Sequence, residues 1–143
     1  MGRDSAGEVR TKVLIVEDDP AVLASMVAML DDTMIVDTCE SAEIALTKTL
    51  VHRYHVVCAD YGLPKMSGLE LLEQLGQRSP GFRGLLVTGS EDFYRISKRR
   101  GYYVLKKPFD PERYVAIVEH LASLAMMRQS VDLLTSSPNG ERK

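Results

Sequence analysis

His55-Val56-Val57-Cys58-Ala59-Asp60 decides how the rest of this chain is read. Four apolar residues follow one another without alternation, and a carboxylate ends them. A strand with one face to water would alternate apolar and polar side chains. A short continuous apolar run instead fits a parallel strand covered on both faces. A carboxylate closing such a strand is costly unless partners compensate, so Asp60 marks a polar site at the strand's carboxyl end.

Working outward, four further β-branched or aliphatic runs read as strands: Lys12 to Val16, Met34 to Thr38, Gly84 to Val87 and Tyr102 to Leu105. Helical segments alternate with them, and their starts are well marked. Asp19-Pro20 and Asp110-Pro111 each offer an N-cap acceptor followed by proline at the first helical position. Ser67-Gly68-Leu69-Glu70 is a capping box, and Ser41 and Ser90 fit as caps of the second and fourth helices. Leu69, Leu72 and Leu75 form one apolar stripe; Tyr114, Ile117, Val118, Leu121 and Leu124 form another, both read as core faces. Five strands alternating with five helices imply an α/β domain, and the right-handed crossover rule makes the strands parallel. The pattern divides the chain into a flexible tail over 1–11, one domain over 12–128, and a C-terminal extension over 129–143 expected to be largely disordered.

Composition sets the bounds. The 143 residues are 45% hydrophobic and 27% charged, with net charge -2 and no tryptophan, which fits one soluble domain. No apolar run approaches the roughly 20 residues that span a bilayer, and the polar start lacks the apolar stretch of a secretory signal. Cys39 and Cys58 sit in strand-like runs and read as buried reduced thiols, so the expected location is cytoplasmic. Arg95, Lys98, Arg99 and Arg100 read as a solvated helix face rather than a nucleic-acid contact. His52, His55 and His120 show no metal-ligand spacing and are assigned to the surface or a strand edge.

In an open parallel sheet, functional groups gather beyond the carboxyl ends of the strands. Here those ends carry Glu17-Asp18-Asp19, Asp60, Thr88-Gly89-Ser90 and Lys106-Lys107-Pro108. Converging carboxylates repel one another unless a cation compensates, and hard oxygen ligands favour magnesium or a similar ion. A hydroxyl and an ammonium across the site suit the equatorial oxygens of a phosphoryl group, and an aspartate can be the nucleophile that accepts it. Each residue has a plainer role. Asp19 is read as a helix cap, Thr88 could simply end a strand, and Lys106 or Lys107 could be a surface charge. The polar group at four of five strand ends decides for a phosphoryl-transfer site.

The segments Val13-Leu14-Ile15-Val16-Glu17-Asp18-Asp19, Ala59-Asp60-Tyr61-Gly62-Leu63-Pro64-Lys65-Met66-Ser67-Gly68, Val87-Thr88-Gly89 and Lys107-Pro108-Phe109 resemble, in order, the motifs of two-component response regulator receiver domains. The resemblance implies a flavodoxin-like, doubly wound sheet of order 2-1-3-4-5. It implies that Asp60 accepts a phosphoryl group from a sensor histidine kinase or histidine phosphotransfer protein. It implies magnesium, with manganese as the substitute, held by Glu17, Asp18, Asp60 and the Gly62 carbonyl. Thr88 and Lys107, rather than Lys106, would engage the phosphoryl group, and the Lys107–Pro108 bond would be cis. Such a domain is a phosphoacceptor switch rather than an enzyme in the usual sense. Its output would be contact with a downstream protein, without direct DNA or membrane binding and with homodimerisation left open.

Three departures from the family pattern matter. Val104 stands where an aromatic rotamer switch is common. The stretch from Thr88 to Lys107 is about three residues short, most of a turn of the fourth helix. Gly62 and Ser90 occupy the positions that flank the attacking water in related receivers, and neither orients water, so slow self-hydrolysis is expected. Four other readings compete with a stand-alone receiver. A receiver fragment of a longer hybrid kinase or regulator and a phosphorylation-independent pseudo-receiver are the nearest. A haloacid-dehalogenase-type phosphatase needs an Asp-x-Asp first strand and a cap domain, and a flavodoxin-like binder needs a phosphate-cradling loop where Glu17-Asp18-Asp19 stands.

Overall fold

A computed structural model of the chain describes residues 10–30, 32 and 34–135, and for 130–135 the backbone alone. Five strands, β1 (Thr11–Val16), β2 (Met34–Cys39), β3 (Val56–Asp60), β4 (Arg83–Thr88) and β5 (Tyr103–Lys106), form one sheet of order β2-β1-β3-β4-β5. All four pairings are parallel. The helices are α1 (Pro20–Met29), α2 (Ala42–Val51), α3 (Gly68–Arg78), α4 (Glu91–Arg99) and α5 (Pro111–Thr135).

The continuous apolar runs are explained by the two faces they serve. Val56 and Cys58 join Val13, Ile15, Leu85, Val87 and Leu105 in a core completed by Met26 of α1 and Tyr114, Val118 and Leu121 of α5. Val57 and Ala59 join Leu14, Val16, Leu86 and Val104 in a second core completed by Ala42 and Ala45 of α2 and Leu69, Leu71, Leu72 and Leu75 of α3. With successive side chains on opposite faces, a strand between two such layers has no position left for a polar residue. Full burial of each aliphatic side chain contributes about 1.5–3 kcal/mol.

The helix starts follow their caps. Asp19 Oδ1 accepts from the amides of Ala21 and Val22 at 2.9 and 3.3 Å, Ser41 Oγ from Ile44 at 3.1 Å, and Ser90 Oγ from Phe93 at 3.2 Å. At α3 the capping box is complete: Ser67 Oγ accepts from the Glu70 amide, and Glu70 Oε1 from the Ser67 amide. Asp110 Oδ1 accepts from the Glu112 amide at 3.1 Å at the start of α5.

Three details differ from the sequence reading. Thr11, assigned to the tail, opens β1, and the expected extension from Gln129 is helical through Thr135. Loss of an apolar stripe does not end a helix; a breaker does, and residues 129–135 contain neither glycine nor proline. Gln129 also ties this stretch to the domain by donating from Nε2 to the Gly81 carbonyl at 3.1 Å. The tail readings for 1–9 and 136–143 lie outside the described residues. His55, expected at the surface or a strand edge, is instead buried at the start of the central strand β3: its Nδ1 accepts from the Lys12 amide at 2.9 Å, and burial pushes its pKa down, helped by the charges of Arg53 and Lys12.

Both cysteines are buried free thiols, held protonated by burial with pKa values pushed up to about 11 for Cys39 and about 12 for Cys58. Such thiols are poor nucleophiles. Among the described residues, no helix is long and apolar enough to cross a membrane.

Candidate functional site

The site lies where β1, β3, β4 and β5 end. Glu17 follows β1, donates its amide to the Cys39 carbonyl at 3.1 Å and is 2% exposed. Its carboxylate accepts from the Asp19 amide at 3.1 Å and from Lys107 Nζ at 3.5 Å. Burial pushes its pKa up; the Asp19 amide opposes this, the Asp60 charge adds to it, and Lys107 opposes it again.

Asp60 is the last residue of β3, its side chain 12% exposed. Its Oδ2 accepts from the Gly62 amide at 3.0 Å, and its Oδ1 lies 2.8 Å from Lys107 Nζ. Lys107 follows β5, and its amide donates to the Thr88 carbonyl at 2.8 Å. Burial works against its ammonium but is outweighed by the hydrogen bond and charge of Asp60 and the charge of Glu17, so its pKa is raised. The Lys107–Pro108 peptide bond is cis. Lys106 points elsewhere and pairs with Glu91.

One carboxylate oxygen from each of Glu17, Asp18 and Asp60 falls within a common 4.8 Å. Three carboxylates face one ammonium, leaving a negative excess that a divalent cation would offset. The donor set is oxygen alone, without histidine or cysteine, which suits magnesium or manganese rather than a softer metal. Gly62 is held against the Asp60 carboxylate by its amide. Thr88 ends β4, 4% exposed, and its Oγ1 accepts from the Ser90 amide at 3.1 Å. The structure thus gathers Glu17, Asp18, Asp60, Gly62, Thr88 and Lys107 at one end of the sheet, while Asp19 caps α1.

Within the basic cluster at α4, Arg95 pairs with Glu91 and Asp92, Arg100 at the helix end pairs with Glu73, and Lys98 sits 5.9 Å from the Tyr94 ring centroid.

Two features were not legible locally. A Cβ at Gly68 would lie 2.3 Å from the Asp60 carbonyl oxygen, so glycine is required where α3 begins against the end of β3. The capping box explained this glycine's neighbours and not the glycine itself. Second, the rings of Tyr61 and Phe93 stack, centroids 4.1 Å apart and 11° from parallel, joining the loop after Asp60 to α4. Nothing in the sequence pattern links those positions.

Comparison with known proteins agrees with this geometry. Residues 13–119 match the response regulator receiver domain. The chain belongs to that family. Among curated relatives of this receiver domain, the nitrogen assimilation regulatory protein NtrX of Azorhizobium caulinodans is 27% identical over 125 residues, covering 83% of this chain and 28% of that protein. The probable transcriptional regulatory protein TcrX of Mycobacterium tuberculosis is 35% identical over 108 residues, covering 72% of this chain and 46% of the relative. The chain therefore spans less than half the length of these relatives. Among solved structures, the chemotaxis response regulator CheY4 of Vibrio cholerae superposes with TM-score 0.71 at 25% identity, covering 79% of this chain and 99% of that one. The five-stranded parallel sheet of order 2-1-3-4-5 and the receiver assignment expected from the sequence are both met.

Proposed function

We propose that this receiver domain accepts a phosphoryl group on Asp60 from a phosphohistidine of a sensor histidine kinase or histidine phosphotransfer protein, and signals by contact with a downstream protein. The observation that carries this is the position of Asp60: its carboxylate belongs to the Glu17–Asp18–Asp60 cluster and is also bonded by Lys107 at 2.8 Å. A nucleophile needs a free lone pair, a charge partner and a nearby site for a metal, and Asp60 has all three.

In the transfer, an Asp60 oxygen forms the new O–P bond as the donor's N–P bond breaks. The electron pair of that bond stays on the imidazole, which departs neutral when its other nitrogen carries a proton. Lys107 would exchange its bond to the carboxylate for one to a phosphoryl oxygen, and Thr88 would donate its hydroxyl to another. Magnesium, or manganese in its place, would be held by Glu17, Asp18, Asp60 and the Gly62 carbonyl and would supply positive charge to the transferred group. Gly62 and Ser90 stand at the positions that flank the attacking water in related receivers, and neither side chain is an acid or amide that would orient it, which supports a long-lived aspartyl phosphate. The buried reduced thiols support a cytoplasmic setting.

The length of the relatives favours a second reading of the output, in which this domain serves as the receiver portion of a longer regulator or hybrid kinase. Both readings share the phosphoacceptor. Intact mass after exposure to acetyl phosphate and magnesium tests it. A gain of one phosphoryl group, lost in Asp60→Ala and without the metal, is expected. Equal gain in Asp60→Ala would place the acceptor elsewhere, and no gain either here or with a phosphorylated histidine donor would leave a pseudo-receiver.

A further inference from the structure

Receivers with an aromatic residue at position 104 have a ring that can swing when the strand-end threonine moves; here Val104 is buried at 6% exposure and has none. The contacts around Thr88 form a closed circuit of another kind. Thr88 Oγ1 accepts from the Ser90 amide at 3.1 Å, and Ser90 Oγ accepts from the Phe93 amide at 3.2 Å. The Phe93 ring stacks on Tyr61, and the Tyr61 amide returns to the Val87 carbonyl, next to Thr88, at 2.8 Å.

The two plates of this stack are held very differently. Tyr61 follows Asp60 directly and is fixed through both backbone groups, its amide on Val87 and its carbonyl accepting from Gly68 at 3.0 Å. Phe93 is 40% exposed on α4, a helix that buries a single residue, Ser97. We propose that Ser90, Phe93 and Tyr61 are positioning residues that take over the readout of the site, the stack reporting the movement of Thr88. This rests on Asp60 being the phosphoacceptor. When the Thr88 oxygen moves toward a phosphoryl oxygen, the Ser90 amide must follow or lose its acceptor. Where it follows, the first turn of α4 shifts against the Tyr61 ring, whose backbone is held in place, and the overlap of the two rings changes on the outer surface of the domain.

The test is fluorine NMR of protein carrying 3-fluorotyrosine, read beside intact mass before and after acetyl phosphate with magnesium. Of the six tyrosine signals, Tyr61→Phe assigns the one that matters. Ring stacking places that signal away from its exposed-tyrosine position, and Phe93→Ala returns it there, which calibrates the probe. The expected result is a further displacement of the Tyr61 signal on phosphorylation, retained in Thr88→Ser and absent in phosphorylated Thr88→Ala. Phe93→Ala gains the same mass with no Tyr61 response. A mass gain with an unmoved Tyr61 signal overturns the coupling and leaves the phosphoacceptor intact, as does an equal displacement in Thr88→Ala, which would be the bare field of the phosphoryl group. Should Thr88→Ala take no phosphoryl group, the Phe93→Ala and Thr88→Ser arms decide. No mass gain in the unaltered chain removes both proposals together.

Discussion

Two neighbouring helices on the same side of the sheet are built on opposite principles. α3 buries Gly68, Leu69, Leu71, Leu72 and Leu75 and closes its start with a reciprocal capping box. α4 buries Ser97, whose hydroxyl finds no partner among the described residues, and leaves Phe93 and Ile96 40% and 39% exposed. What holds α4 is a half-buried Tyr94 packed against the core and, at the rim, the Ser90 cap, ion pairs to Glu91 and the stack on Tyr61. Local stability follows buried apolar contact, so α3 should open only with the whole domain while α4 opens by itself. That division suits a switch, because α3 fixes the end of β3 and with it Asp60, while α4 is free to answer Thr88.

The sharpest way to test the fixed half is Gly68→Ala. Its Cβ would meet the Asp60 carbonyl oxygen at 2.3 Å and the carbonyl carbon at 2.9 Å, and backbone atoms cannot rotate away as a side chain would. The loss expected in urea unfolding is about 3 kcal/mol or more, with a matching fall in phosphoryl uptake because Asp60 itself must move. A change under about 1 kcal/mol would show that α3 is not locked to the strand end.

A paired comparison of truncations comes next. Leu72→Ala should cost about 2–5 kcal/mol, since the leucine is 1% exposed and the cavity cannot collapse against the sheet. Phe93→Ala, removing a larger side chain from α4, should cost under about 1 kcal/mol, the worth of a partly exposed aromatic contact. Native-state hydrogen exchange reads the same contrast: amides of α3 should exchange with the global free energy, and those of α4 with a smaller one. Equal costs, or equal protection, would abolish the distinction between the two helices.

How far the sequence reached is set by the same contrast. α3 was legible because its signals are local: Leu69, Leu72 and Leu75 fall on one helical face, and Ser67 and Glu70 stand three apart. The strand ends were legible too, because parallel topology sends Glu17, Asp60, Thr88 and Lys107 to one edge whatever the loops do. The stack of Tyr61 on Phe93 was not, since it joins residues 32 positions apart across loops whose lengths carry no periodicity. The extent of α5, Pro111–Thr135, is hidden for a related reason. Its apolar stripe fades past the sheet, yet nothing between Gln129 and Thr135 breaks a helix.

Ser97 offers a test of opposite sign. It is fully buried, and its Oγ has no hydrogen-bond partner among the described residues. Deleting an unsatisfied buried hydroxyl without disturbing its neighbours removes a desolvation cost, so Ser97→Ala should raise stability by about 1 kcal/mol in urea unfolding. The gain should appear as greater protection of α4 rather than of α3. Destabilisation would mean that the hydroxyl is bonded in solution and that α4 is better anchored than its burial suggests.

The smallest effect concerns the rim itself. Glu91, in the first turn of α4, has its pKa lowered by the hydrogen bond and charge of Lys106, with Arg95 adding to the effect and a slight desolvation opposing it. A carboxylate depressed in the folded state binds protons more readily when unfolded. The stabilising contribution is therefore complete above the ordinary glutamate value of 4.5 and is lost as pH falls through the lower, folded value. Carbon-detected NMR should show Glu91 titrating below 4.5, and Lys106→Met should move its titration upward. Because both partners are exposed, added salt should weaken the shift, and the change in global stability should be barely measurable. The informative comparison is again between the helices: acidification through that range should loosen α4 relative to α3. If α4 keeps its protection once Glu91 is neutral, the Ser90 cap, the stack on Tyr61 and the contact of Tyr94 with the core hold it, and the moving part of the switch narrows to Ser90 and Phe93.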